Sequence, residues 1–239
     1  MRNVFFWMVL GLMGSCSDRE DPSASQWSHC QAHDALIRQA ADSFALDWVL
    51  VKAIVLKESH ADPWYVSTAG VVGLMQLMPR EGSWVSSNYQ NFQETRKKPR
   101  NQAGQRVHRG KTVEEWAGRY VAQLDSLKAL YYGREEELLV LDRRFGTLDN
   151  LVEGTRQFAD DVQYFRSRKH GPYVARLLAL AAYNAGRGAV AWDRTQPRLD
   201  RIPINRQTEL YVALVERMYQ ALLAEEGVVN ARNEWILEL

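Results

Sequence analysis

The chain has 239 residues, 46% of them hydrophobic and 25% charged, which is ordinary globular composition with room for one full-sized domain and its core. Its 30 lysines and arginines nearly balance 29 acids, so no net field of either sign argues for nucleic acid or for a strongly acidic partner. Composition argues against disorder as the default, and any partner has to be read from local features.

At the N-terminus Arg2 precedes the apolar run Val4 to Met13, which ends on Gly14, Ser15 and Cys16. This is the order of a secretory signal, and it is too short to span a bilayer. Small residues directly before a Cys resemble a bacterial lipoprotein lipobox, with Met13 standing where Leu is usual. The resemblance implies that residues 1–15 are a signal peptide and that Cys16 becomes the lipidated first residue of the mature chain; a cleaved soluble signal and an uncleaved anchor are the alternatives. Ser17 resembles the residue that lets such lipoproteins pass to the outer membrane. The polar, aperiodic stretch after it suits a flexible tether over 16–29. Cys30 would then be the last cysteine, which excludes an internal disulfide and suits a small buried hydrophobe.

Folding is expected from about residue 30. Leu36, Ile37, Ala40, Ala41 and Phe44 recur at helical spacing. Asp47 can cap a second helix, in which Trp48 to Leu56 is apolar almost all round, the mark of a central, buried element. Pro63 prevents that helix from running on, which puts Glu58 and Ser59 in its last turn or two. Gly70 to Pro79 reads as a short helix. Thr112, Val113, Glu114 and Glu115 form a capping box opening a long helix with Trp116, Tyr120, Leu124, Leu127 and Tyr131, stopped at Gly133, before a further helical piece through Phe145. Asp149 is expected to cap a helix carrying Leu151, Thr155, Phe158, Val162 and Phe165 on one side. Pro172 suits a first helical residue, and the apolar stretch Val174 to Tyr183 should stop at Gly186. Leu210, Tyr211, Leu214, Val215, Met218, Tyr219, Leu222 and Leu223 make the last strong helix. No alternating strand pattern and no internal repeat competes, so the body is all, or nearly all, α.

Many carboxylates are present, so a catalytic one has to be recognised by its setting. Glu58 follows an apolar helix and sits near a helix C-terminus; both disfavour its charged form and push its pKa up, as a general acid near neutral pH requires. Alone, a Glu near a helix end is far more often solvated. The residues downstream of it are more specific: Glu58, Ser59, Pro63, Ser67, Gly70, then Gly73, Leu74, Met75, Gln76, Leu77, Met78, Pro79. This run resembles the lytic transglycosylases of the lysozyme superfamily with an SLT-type catalytic domain. Ala182, Tyr183, Asn184, Ala185 and Gly186 resemble a second motif of that family. Asp149, Asn150, Leu151, Gly154 and Phe158 echo its Asn-Ile helix, and Thr208, Tyr211 and Val212 echo its Glu-Thr-x-x-Tyr-Val segment. Ala61, Val71, Arg187 and Gln207 depart from the pattern.

The resemblance implies a mainly helical, lysozyme-like catalytic domain over residues 30–226, with a helical insertion at about 80–148 and a tail at 227–239. It implies cleavage of the MurNAc-GlcNAc β-1,4 bond of peptidoglycan without hydrolysis, leaving 1,6-anhydromuramyl ends, with Glu58 as acid first and base second. Ser67, Gln76, Tyr183 and Asn184 would line the cleft and bind the sugar or its N-acetyl group. Outside the motif, Ser67 reads as a helix cap, Gln76 as a surface residue and Tyr183 as core with a satisfied hydroxyl. Asp62 suits capping or solvation better than a second carboxylate. A hydrolytic muramidase of the same fold, a non-catalytic peptidoglycan-binding protein and a secretion accessory are the alternatives. No metal or other cofactor is expected, since His29, His33, His60, His108 and His170 show no ligand spacing. The expected partners are peptidoglycan glycan strands and, through the lipid anchor, the outer membrane on its periplasmic side. Arg96, Lys97, Lys98, Arg100, Arg106, Arg109 and Lys111 form an acid-free basic run that reads as a solvated loop, or alternatively as a grip on anionic peptide stems or lipid head groups.

Overall fold

A computed structural model describes residues 31–79, 86–190 and 206–225. The signal, Cys16, the tether, Cys30 and the tail at 227–239 lie outside the described residues. The chain divides into two compact units, one of residues 1–61 and 151–239, the other of residues 62–150. The expected insertion at 80–148 falls inside the second unit, which begins eighteen residues earlier, at Asp62.

Among the described residues of the first unit, the regular elements are all helices. α1 (Asp34–Ser43) buries Ile37, Ala40 and Ala41 and packs on α2 (Trp48–Ser59). Asp47 caps α2 as expected, its side chain accepting from the Val49 amide. Val49 to Leu56 are all buried, so α2 is the centre of this unit. Even Lys52 is buried there, its ammonium 2.9 Å from Asp34. Left-handed backbone at His60 (φ 54°) and Ala61 (φ 63°), rather than Pro63 itself, stops the helix.

α6 (Thr147–Arg166) starts two residues before Asp149, which therefore lies in the first turn instead of capping it. There it pairs with Arg143 at 2.8 Å and complements the helix dipole. Leu151, Thr155, Phe158 and Phe165 are buried on one side of this helix. α7 (Pro172–Ala185) opens on Pro172 and closes on Gly186 (φ 87°), followed by the short α8 (Arg187–Val190). α9 (Arg206–Glu225) packs on α2 and α7 through Thr208, Tyr211, Val212, Val215, Tyr219, Leu222 and Leu223. Its apolar face is narrower than expected: Leu210 and Leu214 are exposed.

In the second unit α3 (Ser87–Lys97) packs on α4 (Val113–Leu130), whose Thr112–Glu115 capping box forms as the sequence predicts. Between them β1 (Val107–His108) and β2 (Lys111–Thr112) make a small antiparallel hairpin, a departure from helix that the sequence pattern does not signal. Arg109 (φ 50°) and Gly110 (φ 73°) form its turn. The basic run is mostly exposed, and two of its members hold backbone: Arg106 donates to the Lys98 carbonyl and Arg100 to that of Gly104. α5 (Glu135–Leu141) and a 3-10 turn over Arg143–Phe145 complete the unit.

Gly70 to Pro79 is not a helix. Gly70 (φ 74°), Gly73 (φ 83°) and Gln76 (φ 50°) are all left-handed, which an α-helix cannot accept. The segment is a loop instead, closed by isolated bridges between Val66 and Val72 and between Val72 and Leu77.

Candidate active site

Glu58 sits one residue from the end of α2, partly buried, at the point where the apolar helix gives way to left-handed backbone. Burial pushes its pKa above the ordinary value, as the sequence leads one to expect. The Tyr211 hydroxyl donates to Glu58 Oε1 at 2.6 Å and, with the neighbouring Lys57 ammonium, pulls the other way without cancelling that rise. Tyr211 is itself buried, and burial, then Glu58, then Tyr183 raise its own pKa well above the ordinary value. It therefore remains a proton-bearing donor to the carboxyl across the physiological range. The preceding Lys57 ammonium lies 5.5 Å over the Tyr211 ring.

Tyr183 and Asn184 lie in the last turn of α7, partly buried. Tyr183 packs edge-on to Phe158, centroids 6.2 Å apart, and adds the smallest of the contributions that raise the Tyr211 pKa. Asn184 is oriented by Thr208, whose hydroxyl donates to Asn184 Oδ1 at 3.0 Å. Within the first unit, then, Glu58 and Asn184 are tied to α9 by hydrogen bonds from Tyr211 and Thr208. The sequence marks those two as an echo of the family's Glu-Thr-x-x-Tyr-Val segment but gives them no role in the site. Their placement is a further signal: a phenol and a hydroxyl three residues apart on the buried face of an amphipathic helix require polar partners. Arg187, one of the departures from the family pattern, pairs with the buried Asp161 at 2.5 Å and stacks over Tyr164.

Ser67 and Gln76 belong to the second unit. Ser67 Oγ accepts from the amides of Ala69 (3.2 Å) and Val71 (3.4 Å), so it caps a turn rather than a helix. The Gln76 amide nitrogen donates to the carbonyls of Gly73 (2.9 Å) and Tyr65 (3.2 Å). Asp62 accepts from the Trp64 amide at 2.8 Å, the local capping role expected of it. Asn150 is the residue that holds this loop in the middle: its Oδ1 accepts from the Met75 amide at 2.7 Å, and its Nδ2 donates to the carbonyls of Val72 and Arg144. Among the described residues no His, Cys, Asp and Glu cluster is arranged to hold a metal ion.

Residues 35–104 match the transglycosylase SLT domain, which is lysozyme-like. That span contains Glu58, Ser67 and Gln76 and ends before Tyr183 and Asn184. Among curated proteins, this chain is 50% identical over 42 residues to the membrane-bound lytic murein transglycosylase F of Desulfosudis oleivorans (strain DSM 6200 / JCM 39069 / Hxd3), a match covering 18% of this chain and 9% of that protein. Both comparisons bear out the resemblance to SLT-type lytic transglycosylases, and the helical architecture agrees with it.

Proposed function

We propose that this protein is a peptidoglycan lytic transglycosylase with Glu58 as its catalytic group. The observation that carries the reading is a carboxyl at the end of a buried apolar helix, with its pKa raised by burial and its orientation fixed by the Tyr211 hydroxyl, inside the segment that matches the SLT domain. A carboxyl raised in this way retains its proton closer to neutrality and acts first as a general acid, delivering that proton to the bridging oxygen as the bond from the muramyl anomeric carbon breaks.

The resulting carboxylate then takes the proton from the muramyl 6-hydroxyl, whose oxygen attacks the same anomeric carbon. Product and proton balance without water, and a 1,6-anhydro end results. Because the nucleophile is part of the substrate, effective molarity replaces the second carboxylate that positions water in hydrolytic enzymes. The substrate's N-acetyl group can shield the cationic centre meanwhile. Tyr211 suits both halves of this cycle: it hydrogen-bonds the carboxylate after the first transfer and stays protonated itself. Ser67, Gln76, Tyr183 and Asn184 bind the glycan in this reading, a role carried over from the family motifs. Cys16, as a lipidated first residue, would tether the body at the periplasmic face of the outer membrane. The membrane-bound character named for the relative is in keeping with that.

The test is digestion of purified sacculi by the protein and by Glu58→Gln, with mass spectrometry of the released muropeptides. Anhydro ends from the parent protein, with release lowered about 100-fold or more in the variant, are expected. Reducing ends would make the protein a hydrolytic muramidase, and no release by either form would remove the enzymatic reading.

A further inference from the structure

The loop that carries Gly73, Leu74, Met75 and Gln76 is held at both ends by one buried side chain. Arg144 is 4% exposed, and its guanidinium has five N–H donors. Nη1 donates to the Gly70 carbonyl at 3.3 Å and to the Leu77 carbonyl at 3.2 Å, the two ends of the loop. Nη2 donates to Asp142 at 2.6 Å and to the Tyr120 hydroxyl at 2.9 Å, and Nε donates to Asp142 at 3.0 Å. All five are engaged, and the paired Asp142 is fully buried.

The two glycines of the loop fit this arrangement. A β-carbon on Gly70 would come within 2.5 Å of the Tyr120 ring, and one on Gly73 would meet the Asn150 amide and the Arg144 carbonyl. The residues that require glycine there are thus Tyr120, Arg144 and Asn150, from α4, the turn after α5 and the start of α6. A buried ion pair is a poor source of stability, since apolar residues of equal volume hold a core as well or better. What it supplies, and a Leu or Met does not, is a fixed set of directional bonds to two particular carbonyls.

We infer that Asp142, Arg144 and Tyr120 are positioning residues for the Gly70–Leu77 loop, so that the region expected as an insertion sets the geometry of the segment presenting Gln76 to substrate. The inference rests on the proposed reading that this segment binds glycan. None of the three residues touches substrate in it; they act through the loop.

The experiment compares the full chain with its Tyr120→Phe and Arg144→Lys variants, using Tyr132→Ala, an exposed position just past α4, as control. Amide hydrogen exchange reads the loop, and steady-state cleavage of soluble peptidoglycan fragments reads the site. In Tyr120→Phe the amides of Val72, Gly73, Met75 and Leu77 should exchange about tenfold faster while those of α2 and α9 are unchanged, and KM should rise by a similar factor. kcat and its pH profile, which report Glu58, should stay as in the parent. Arg144→Lys keeps the charge but not the fork, and should show the larger loosening. Should that variant fail to fold, Tyr120→Phe alone decides. Unchanged loop exchange overturns the inference whatever the activity, as does a loosened loop with unchanged KM. If the parent protein proves to have no cleavage activity, calorimetry of fragment binding to Glu58→Gln, with and without Tyr120→Phe, decides separately: weaker binding with a loosened loop upholds the positioning role, and equal affinity ends it.

Discussion

At the scale of the residue, Glu58 combines a cost with the use proposed for it. Its carboxyl is held above its ordinary pKa of 4.5, chiefly by burial. Between the ordinary and the raised value the folded chain binds more protons than the unfolded one, so stability falls as pH rises through that window. Glu58→Gln should therefore be more stable than the parent at neutral pH, with the advantage shrinking as pH falls toward the ordinary carboxyl value; urea unfolding at a series of pH values reads this. Tyr211→Phe removes a bond that favours the carboxylate, so the Glu58 pKa should rise further. On the proposed function, the alkaline limb of the pH–rate profile should move upward, and the maximum rate should fall about tenfold, because the base half of the proposed cycle loses its support. The sequence exposes Glu58 through its apolar approach and the spacing of Ser67, Gly70 and Gly73. Tyr211 gains its role only in the fold, because 153 residues separate it from the carboxyl it binds.

At the scale of the element, α2 and α9 are matched along their length. Tyr211 reaches Glu58 at one end of α2, and Tyr219, two turns further along α9, donates to Asp47 at the other, 2.7 Å away. The helices are therefore antiparallel, with the cap of α2 and its terminal carboxyl both fixed by phenols of the same partner. Tyr219→Phe should cost about 1 kcal/mol and Asp47→Ala about 1–3 kcal/mol, since the latter loses the cap as well. A double-mutant cycle by urea denaturation should show the two coupled, because they share one bond. Helix positions are legible wherever period, cap and stop agree, as at Asp47, Thr112, Pro172 and Gly186. The Gly70–Pro79 segment misleads because its apolar residues imitate a short helix while Gly70, Gly73 and Gln76 adopt left-handed backbone, a state that hydrophobic spacing does not record. The narrow face of α9 misleads for a related reason: Leu210 and Leu214 satisfy the period yet remain exposed.

At the scale of the whole molecule, the second unit has its own buried charge centre, and that centre is the part least legible in sequence. Asp142 and Arg144 look like any other charged residues near a turn, and only the fold makes them interior. Asp142→Ala would leave a buried guanidinium without its counter-ion, a change that costs about 3–5 kcal/mol. Hydrogen exchange should show the loss in α3, α4 and the Gly70–Leu77 loop, while the amides of α2, α7 and α9, in the other unit, keep their protection. A uniform loss across both units would mean that they unfold as one.

The stapling of Gly70 by Arg144 also has a consequence in time. Those residues are 74 positions apart, and in a chain that emerges N-terminus first, whether from a ribosome or from an export channel, the loop precedes Tyr120, Asp142, Arg144 and Asn150, which receive it. A contact of such long sequence separation forms late and slowly, after its loop-closure entropy has been met. On the proposed function, the nascent chain carries a complete Glu58 motif long before it can hold a sugar. On that function, grip on the substrate is gained only once the second unit has folded.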